Sequence, residues 1–309
     1  MDKYMENPSN NKSKLNPHYV TGFSDGESCF HLSIGKNSKY KIGYYVNPGF
    51  TIVLHKKDEL LLRSIQSFFG GIGNLKVLPN IVQYRVFSLK DLDIILNHFD
   101  NYPLITKKHT DFLLFKEALA LIKNKEHLTI EGFNKIIALK SSMNLGLPEV
   151  LKESFPDILG RKIEPFDLPS VLNPYWVAGF TDGEGCFWIK TLKAVGGAAP
   201  NKEGLRSVIG FQISQHSRDL PLMEKFISFF ECGRLEQTGS AYSLVVTKLS
   251  LINEKIIPFY MAYPILGSKS EDFKDWCRAV QLKNHKAHLT PQGLKEILNI
   301  KSSINSSRK

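Results

Sequence analysis

The stretch Leu15 to Phe30, LNPHYVTGFSDGESCF, returns as Leu172 to Phe187, LNPYWVAGFTDGEGCF, with 11 of 16 residues identical at a constant offset of 157. An internal duplication fixes domain number and symmetry before any single residue is interpreted. Further along, the correspondence continues at an offset of 161, which places an insertion in the second copy near Ala194 to Leu205. Phe68 and Phe69 answer to Phe229 and Phe230, and Tyr102 to Thr129 matches Tyr263 to Thr290 at 11 of 28 positions. Lys140-Ser141-Ser142-Met143-Asn144 recurs as Lys301-Ser302-Ser303-Ile304-Asn305. Two long copies are not a solenoid, which would show more; they imply two similar halves related by a pseudo-twofold axis within one chain.

Between the copies, Leu145 to Val171 carries Pro148, Pro156, Pro165 and Pro169, the composition of a linker that stays extended and joins neither core. The expected organisation is a disordered leader at 1–14, an N-terminal domain at 15–144, the linker at 145–171 and a C-terminal domain at 172–305. Each copy opens with Asn-Pro, at Asn16-Pro17 and Asn173-Pro174, an N-cap followed by proline at the first helical position. The short helix that follows should end near Gly26 and Gly183. Beyond it Phe30, Leu32 and Ile34 alternate with Cys29, His31 and Ser33 in the period of a half-buried strand.

A second strand is expected at Tyr44 to Leu54 and Ser207 to Gln215, then a helix at Glu59 to Phe69 and Leu220 to Phe230. A hairpin follows, Asn74 to Leu78 with Gln83 to Ser88 and Arg234 to Thr238 with Tyr242 to Thr247. The remainder reads as helical, at His109 to Lys123 and Ile130 to Ser141, and at Ser270 to Lys283 and Pro291 to Ser303. The fold class is therefore α+β, a tandem αββαββα repeat with antiparallel sheets.

The net charge of +10 on 309 residues, from 40 Lys and Arg against 30 Asp and Glu, suits a polyanionic partner. No run approaches the roughly 18 apolar residues of a membrane-spanning helix, so no membrane partner is expected. Met1 to Lys14 is too polar for a secretory signal and has acids but no Arg, unlike a transit peptide. The four cysteines lie far apart, without C-x-x-C or zinc spacing, and are expected to be reduced. The abundance of Lys, Asn, Ile, Leu and Phe fits an AT-rich genome such as an organelle's.

Within the opening helices, Gly22 and Gly179 sit beside Thr21 and Ala178, small residues that let two helix backbones approach closely. Packed by those faces, the helices would bring Asp25-Gly26-Glu27 beside Asp182-Gly183-Glu184. Carboxylates gathered at the negative ends of two helix dipoles call for a cation, and hard oxygens without His or Cys suit Mg²⁺. Metals held there can activate a water and stabilise the leaving oxygen in phosphodiester hydrolysis. A lone D-G-E tripeptide would simply cap a helix; its duplication in matching context argues for a site. An EF-hand is excluded, since the D-x-D-x-D-G ligand series is missing.

The segments Val20 to Ser28 and Val177 to Gly185 resemble the LAGLIDADG homing endonucleases, in particular the single-chain, two-motif branch of fungal mitochondrial group I introns. The resemblance spans both halves and departs only at Ser28, where Gly is usual. It implies that Glu27 and Glu184 bind the catalytic metals, with Gly26 and Gly183 at the same motif ends as further metal-site residues. It implies Mg²⁺ as cofactor, Mn²⁺ able to substitute, and Ca²⁺ supporting binding without cleavage. Lys108 and Lys269, each five residues after a proline, correspond to the family's lysine that serves as general acid or charge stabiliser. Gln215 corresponds to a water-ordering glutamine, whose first-half counterpart is Leu54, so the two centres should be chemically unequal.

The free face of such a sheet fits the major groove of DNA. The residues expected on it are His31, Ser33, Thr51, Lys76, Gln83, Arg85, Trp188, Lys190, Gln212, Glu236, Thr238 and Ser243, while Lys36, Lys39, Lys41 and Lys193 in strand-end loops suit phosphates. The halves have diverged on this face, which implies a long, non-palindromic target. The expected function is a monomeric, mitochondrial, site-specific double-stranded DNA endonuclease that leaves short 3′ overhangs. An intron maturase binding RNA on the same fold and a DNA-binding module that does not cut are the alternatives; retention of both acids favours the nuclease.

Overall fold

The computed structural model describes residues 15–161, 163, 166–193 and 205–305. Residues 1–14, the expected leader, and most of the expected insertion lie outside them. The first half runs α1 (Pro17–Glu27), β1 (Ser28–Lys36), β2 (Tyr44–His55), α2 (Glu59–Phe68), β3 (Asn74–Val77), β4 (Ile81–Val86), α3 (Leu89–Asn101), α4 (Lys108–Lys123) and α5 (Ile130–Ser142). After α6 (Glu149–Ser154) the second half repeats the plan as α7 (Pro174–Glu184), β5 (Gly185–Lys193), β6 (Leu205–His216), α8 (Leu220–Phe230), β7 (Arg234–Thr238) and β8 (Ala241–Val246). It continues through α9 (Leu249–Leu251) and α10 (Ile257–Ala262), then α11 (Lys269–Asn284) and α12 (Pro291–Ser303). Each half holds a four-stranded antiparallel sheet, ordered β1-β2-β4-β3 and β5-β6-β8-β7.

The α+β repeat is as expected, with two departures. Helix α3 and its counterpart, α9 and α10 joined by a π turn at Ile252–Ile256, were not resolved as elements in the αββαββα reading. Ser88 caps α3 by accepting from the Asp91 amide, and Leu92, Ile95 and Phe99 bury one face of it. In the second half Pro258 has no amide hydrogen to return to the preceding turn, which accommodates the wider π geometry. The second departure is the linker. Its helix α6 packs Leu151, with Leu147, Phe155 and Ile158, against Phe133 and Ile137 of α5, so this segment joins the first half because its apolar residues recur at helical spacing.

The sheets bury one face each. Around Phe30 on β1 stand Phe50, Phe99, Phe112 and Phe115 at ring separations of 5.2–5.6 Å, and Phe187 occupies the same position among Phe211, Tyr260, Phe273 and Trp276. The recurring Lys-Ser-Ser-x-Asn segment also acquires a reason. Asn144 and Asn305 adopt left-handed φ of 51° and 60°, which Asn tolerates better than most residues. Their side-chain amides donate to Phe30 O at 2.8 Å and Phe187 O at 2.9 Å, tying the end of each last helix to its first strand.

The halves meet along α1 and α7. A β-carbon at Gly22 would lie 2.0 Å from Trp176 O, and one at Gly179 would lie 2.1 Å from Tyr19 O. Backbone touches backbone, so only glycine fits at either position, and the two helices run to a shared end.

Candidate active site

Asn16 and Asn173 start the central helices, accepting from His18 N at 2.9 Å and Tyr175 N at 2.9 Å. Eleven residues later the helices end on Glu27 and Glu184, one residue beyond the expected stop. The two ends are interlocked. A β-carbon at Gly26 would lie 3.3 Å from Glu184 Cγ, and one at Gly183 would lie 3.2 Å from Glu27 Cγ. Each acid therefore crosses the tip of the opposite helix.

Two clefts related by the pseudo-twofold flank this junction, with volumes of about 260 and 280 Å³. One contains Glu27, Leu54, Asp58, Gly183 and Lys269. The other contains Glu184, Gln215, Asp219, Gly26 and Lys108. Each joins the glutamate of one half to the lysine of the other, an arrangement no reading of a single half could supply. Leu54 and Gln215 occupy equivalent places, so the expected inequality between the centres is present in their linings.

Lys108 and Lys269 are the first residues of α4 and α11. Lys108 Nζ donates to Ser24 O at 2.8 Å and Gly26 O at 3.1 Å, and Lys269 Nζ donates to Thr181 O at 3.1 Å and Gly183 O at 2.9 Å. The cations complement the negative ends of the helix dipoles. Neutralisation of the helix ends expected from a metal is thus shared by two lysines of the chain. Burial pushes both amines below the ordinary lysine value, opposed chiefly by Asp25 and Asp182 respectively. Burial raises the Glu27 and Glu184 carboxyls above the usual range, countered first by Lys269 at Glu27 and reinforced by Glu27 at Glu184.

The motif aspartates do something different from the glutamates. Asp25 is buried and accepts from Ile105 N at 3.0 Å, Thr106 N at 3.2 Å, Thr106 Oγ1 at 2.6 Å and Trp176 Nε1 at 2.8 Å. Asp182 accepts from Leu266 N at 3.1 Å, Gly267 N at 2.7 Å and the Tyr19 hydroxyl. Each holds the loop that delivers its own half's lysine and takes one further donor from the opposite central helix. The sequence reading gave them no separate role, although their recurrence in the motif was visible.

The donor chemistry admits a hard divalent cation. Glu27 and Glu184 supply carboxylate oxygens with neither His nor Cys between them, and among the described residues no cluster of three or more His, Cys, Asp or Glu forms a self-sufficient metal cage. Mg²⁺ typically uses one or two carboxylates and completes its shell with water and substrate phosphate, which this pair fits.

The residues expected to meet DNA share one face of each sheet. Cross-strand partners Thr51 and Arg85, and Lys76 and Gln83, confirm the parity in the first half; Glu236 and Ser243, with Gln212 beside Val245, do so in the second. Ser33, Lys76, Lys190, Glu236 and Thr238 are exposed, as are Lys36, Lys39 and Lys41 at the strand ends; Lys193 ends β5. Several are already paired. The Arg85 guanidinium donates to Gln83, Arg234 donates to Glu236, and Ser214 and Ser243 share a 2.7 Å hydrogen bond. The rings of His31 and Trp188 occupy the space a β-carbon would take at Gly49 and Gly210, 2.6 Å and 2.2 Å away respectively, with Lys190 Nζ 4.5 Å from the Trp188 ring centroid.

Residues 20–119 and 177–280 match the family model described as LAGLIDADG endonuclease. A Neurospora crassa protein described as probable intron-encoded endonuclease 3 is 37% identical over 293 residues, covering 93% of this chain and 54% of its own length. This chain thus spans about half of that relative. The solved structure of the meganuclease I-SmaMI bound to uncleaveable DNA is similar at a TM-score of 0.91 and 42% identity, covering 96% of this chain and 99% of that one. A further structure, I-SmaMI bound to uncleaved DNA in the presence of calcium ions, aligns at a TM-score of 0.89 and 43% identity over 94% of this chain and 99% of that one.

Proposed function

The chain belongs to the LAGLIDADG endonuclease family, and from that premise we propose that it is a site-specific double-stranded DNA endonuclease acting as a monomer. The observation that carries the proposal is the pair of crossed clefts, each with a glutamate from one half and a lysine from the other. Two such centres in one chain match the two strands of a duplex. The basic net charge and the polar outer faces of the two sheets support DNA as the partner, the sheets forming a saddle over the major groove.

Glu27 and Glu184 would hold Mg²⁺ or Mn²⁺ through their carboxylates. When bound, the metal supplies an activated water and charge stabilisation at the leaving oxygen. Lys108 and Lys269 keep the helix-end carbonyls satisfied while placing positive charge beside the acids. Gln215, half-buried in the Glu184 cleft, can orient a water by donating and accepting; Leu54 cannot, so the strand served by the Glu27 cleft would be cut without that help. Short 3′ overhangs and a mitochondrial setting belong to the same proposal by resemblance to the family, and the intron-encoded Neurospora relative supports an intron-encoded origin.

The test is selection of cleaved sequences from an intron-junction DNA library in Mg²⁺, with binding measured in Ca²⁺. Glu27→Gln and Glu184→Gln are expected to abolish cleavage and leave Ca²⁺-supported binding within a few fold. A doubly substituted protein that still cut the mapped site would refute the assignment.

A further inference from the structure

The loop ahead of each lysine is gripped from two sides. In the second half Asp182, on that half's own central helix, takes Leu266 N and Gly267 N. The next amide, Ser268 N, goes to the opposite half: it donates to Asp58 Oδ1 at 2.6 Å, and the Ser268 hydroxyl donates to Asp58 Oδ2 at 3.1 Å. A β-carbon at Gly267 would lie 2.7 Å from Asp182 Oδ1 and 3.1 Å from Asp58 Oδ1, so the two carboxylates converge on one glycine. The first half repeats the grip. Asp25 takes Ile105 N and Thr106 N, and Lys107 N donates to Asp219 Oδ1 at 2.6 Å.

Asp58 and Asp219 immediately precede α2 and α8, and neither side chain caps its own helix. Asp219 is buried even so, 7% exposed, with Arg218 3.8 Å away. A carboxylate that leaves its own helix start unserved to accept an amide across the interface has a role set by the opposite half. Its location fits one: Asp58 lies in the same cleft as Glu27 and Lys269, and Asp219 in the same cleft as Glu184 and Lys108.

We propose that Asp58 and Asp219 are positioning residues that register each lysine against the glutamate of the opposite half, Asp58 for the Glu27–Lys269 cleft and Asp219 for the Glu184–Lys108 cleft. The inference rests on the reading of these clefts as the two strand-cutting centres. Without the latch each lysine loop would keep its carboxylate hydrogen bonds only to its own central helix, with Ile105 still packed against the second half's core, and the distance across the interface would depend more on how rigidly the two halves stay docked.

The test follows both strands of an end-labelled target cleaved by wild type, Asp58→Ala, Asp219→Ala and the corresponding Asn variants. Loss of a hydrogen bond to a charged acceptor corresponds to about tenfold or more, so each Ala variant should slow one strand by about that factor and accumulate nicked duplex. The nick should fall on opposite strands for Asp58→Ala and Asp219→Ala. Asn keeps one carbonyl oxygen as acceptor and should recover the slowed strand in large part, and binding in Ca²⁺ should not change. Should an Ala variant unfold, Asp58→Gln and Asp219→Gln, which carry the acceptor one methylene too far, are read in the same way. Equal slowing of both strands, or no slowing, overturns the latch while leaving the endonuclease assignment intact. A wild type that cuts neither strand overturns that assignment and the latch with it.

Discussion

Gly22→Ala should separate the two halves at their closest point. The added carbon would sit 2.0 Å from Trp176 O, 2.8 Å from Trp176 C and 2.9 Å from Phe180 N, all backbone atoms of α7. A non-bonded carbon and oxygen approach no nearer than about 3.3 Å, so the helices must part by about 1.3 Å. No flexible side chain can yield in their place. Overpacking of this sort costs about 1–3 kcal/mol, and a backbone obstruction belongs at the upper end. For a chain of 309 residues the cost corresponds to a fall in Tm of roughly 3–5 °C. The glutamates cross opposite helix tips, so the same parting alters both clefts, and cleavage should fall by more than tenfold even where the protein remains folded. The assay is thermal unfolding followed by circular dichroism, with single-turnover cleavage well below the transition. Gly179→Ala, facing Tyr19 O at 2.1 Å, should match it in both measurements. A Gly22→Ala protein with unchanged Tm and unchanged cleavage would refute the backbone-to-backbone packing argued for α1 and α7.

Exchanging the Leu54–Gln215 difference between the clefts, by Gln215→Leu or Leu54→Gln, should change the ratio of the two strand-cleavage rates in opposite directions, read on end-labelled DNA. Trp176→Phe removes the indole donor to buried Asp25; leaving that acceptor short should cost about 1–3 kcal/mol, measured by denaturant unfolding. Burial raises the folded-state values of Glu27 and Glu184, so each favours folding while protonated and loses that contribution as pH rises through the raised value. In metal-free buffer Glu27→Gln and Glu184→Gln should therefore unfold at higher temperature than wild type near neutral pH. The gap should close below about pH 4, where unfolded glutamate is itself protonated. A constant gap across that range, in a series of Tm measurements against pH, would contradict the sign.

The duplicated sequence determined a good deal by itself. Asn-Pro caps, alternating strands and the small residues at Gly22 and Gly179 are local signals, carried by neighbouring residues and by backbone sterics, and the folded chain follows them. The pairing of Glu27 with Glu184 was legible for the same reason, because a motif repeated in matching context must occupy equivalent places. Helix α3 was harder to read: its apolar face is set by packing under the sheet, and its partner in the second half is interrupted by a π turn.

What only the tertiary structure decided is which residues share each cleft. Lys269 joins Glu27, Lys108 joins Glu184, and Asp58 and Asp219 reach across to hold the loops that carry those lysines. Asp58 and Asp219 do align under the 161-residue offset, but alignment shows equivalence and not partnership. The crossing arises because the two halves dock along their central helices, whose ends then lie side by side, and a contact between positions 210 residues apart exists only once that docking has occurred.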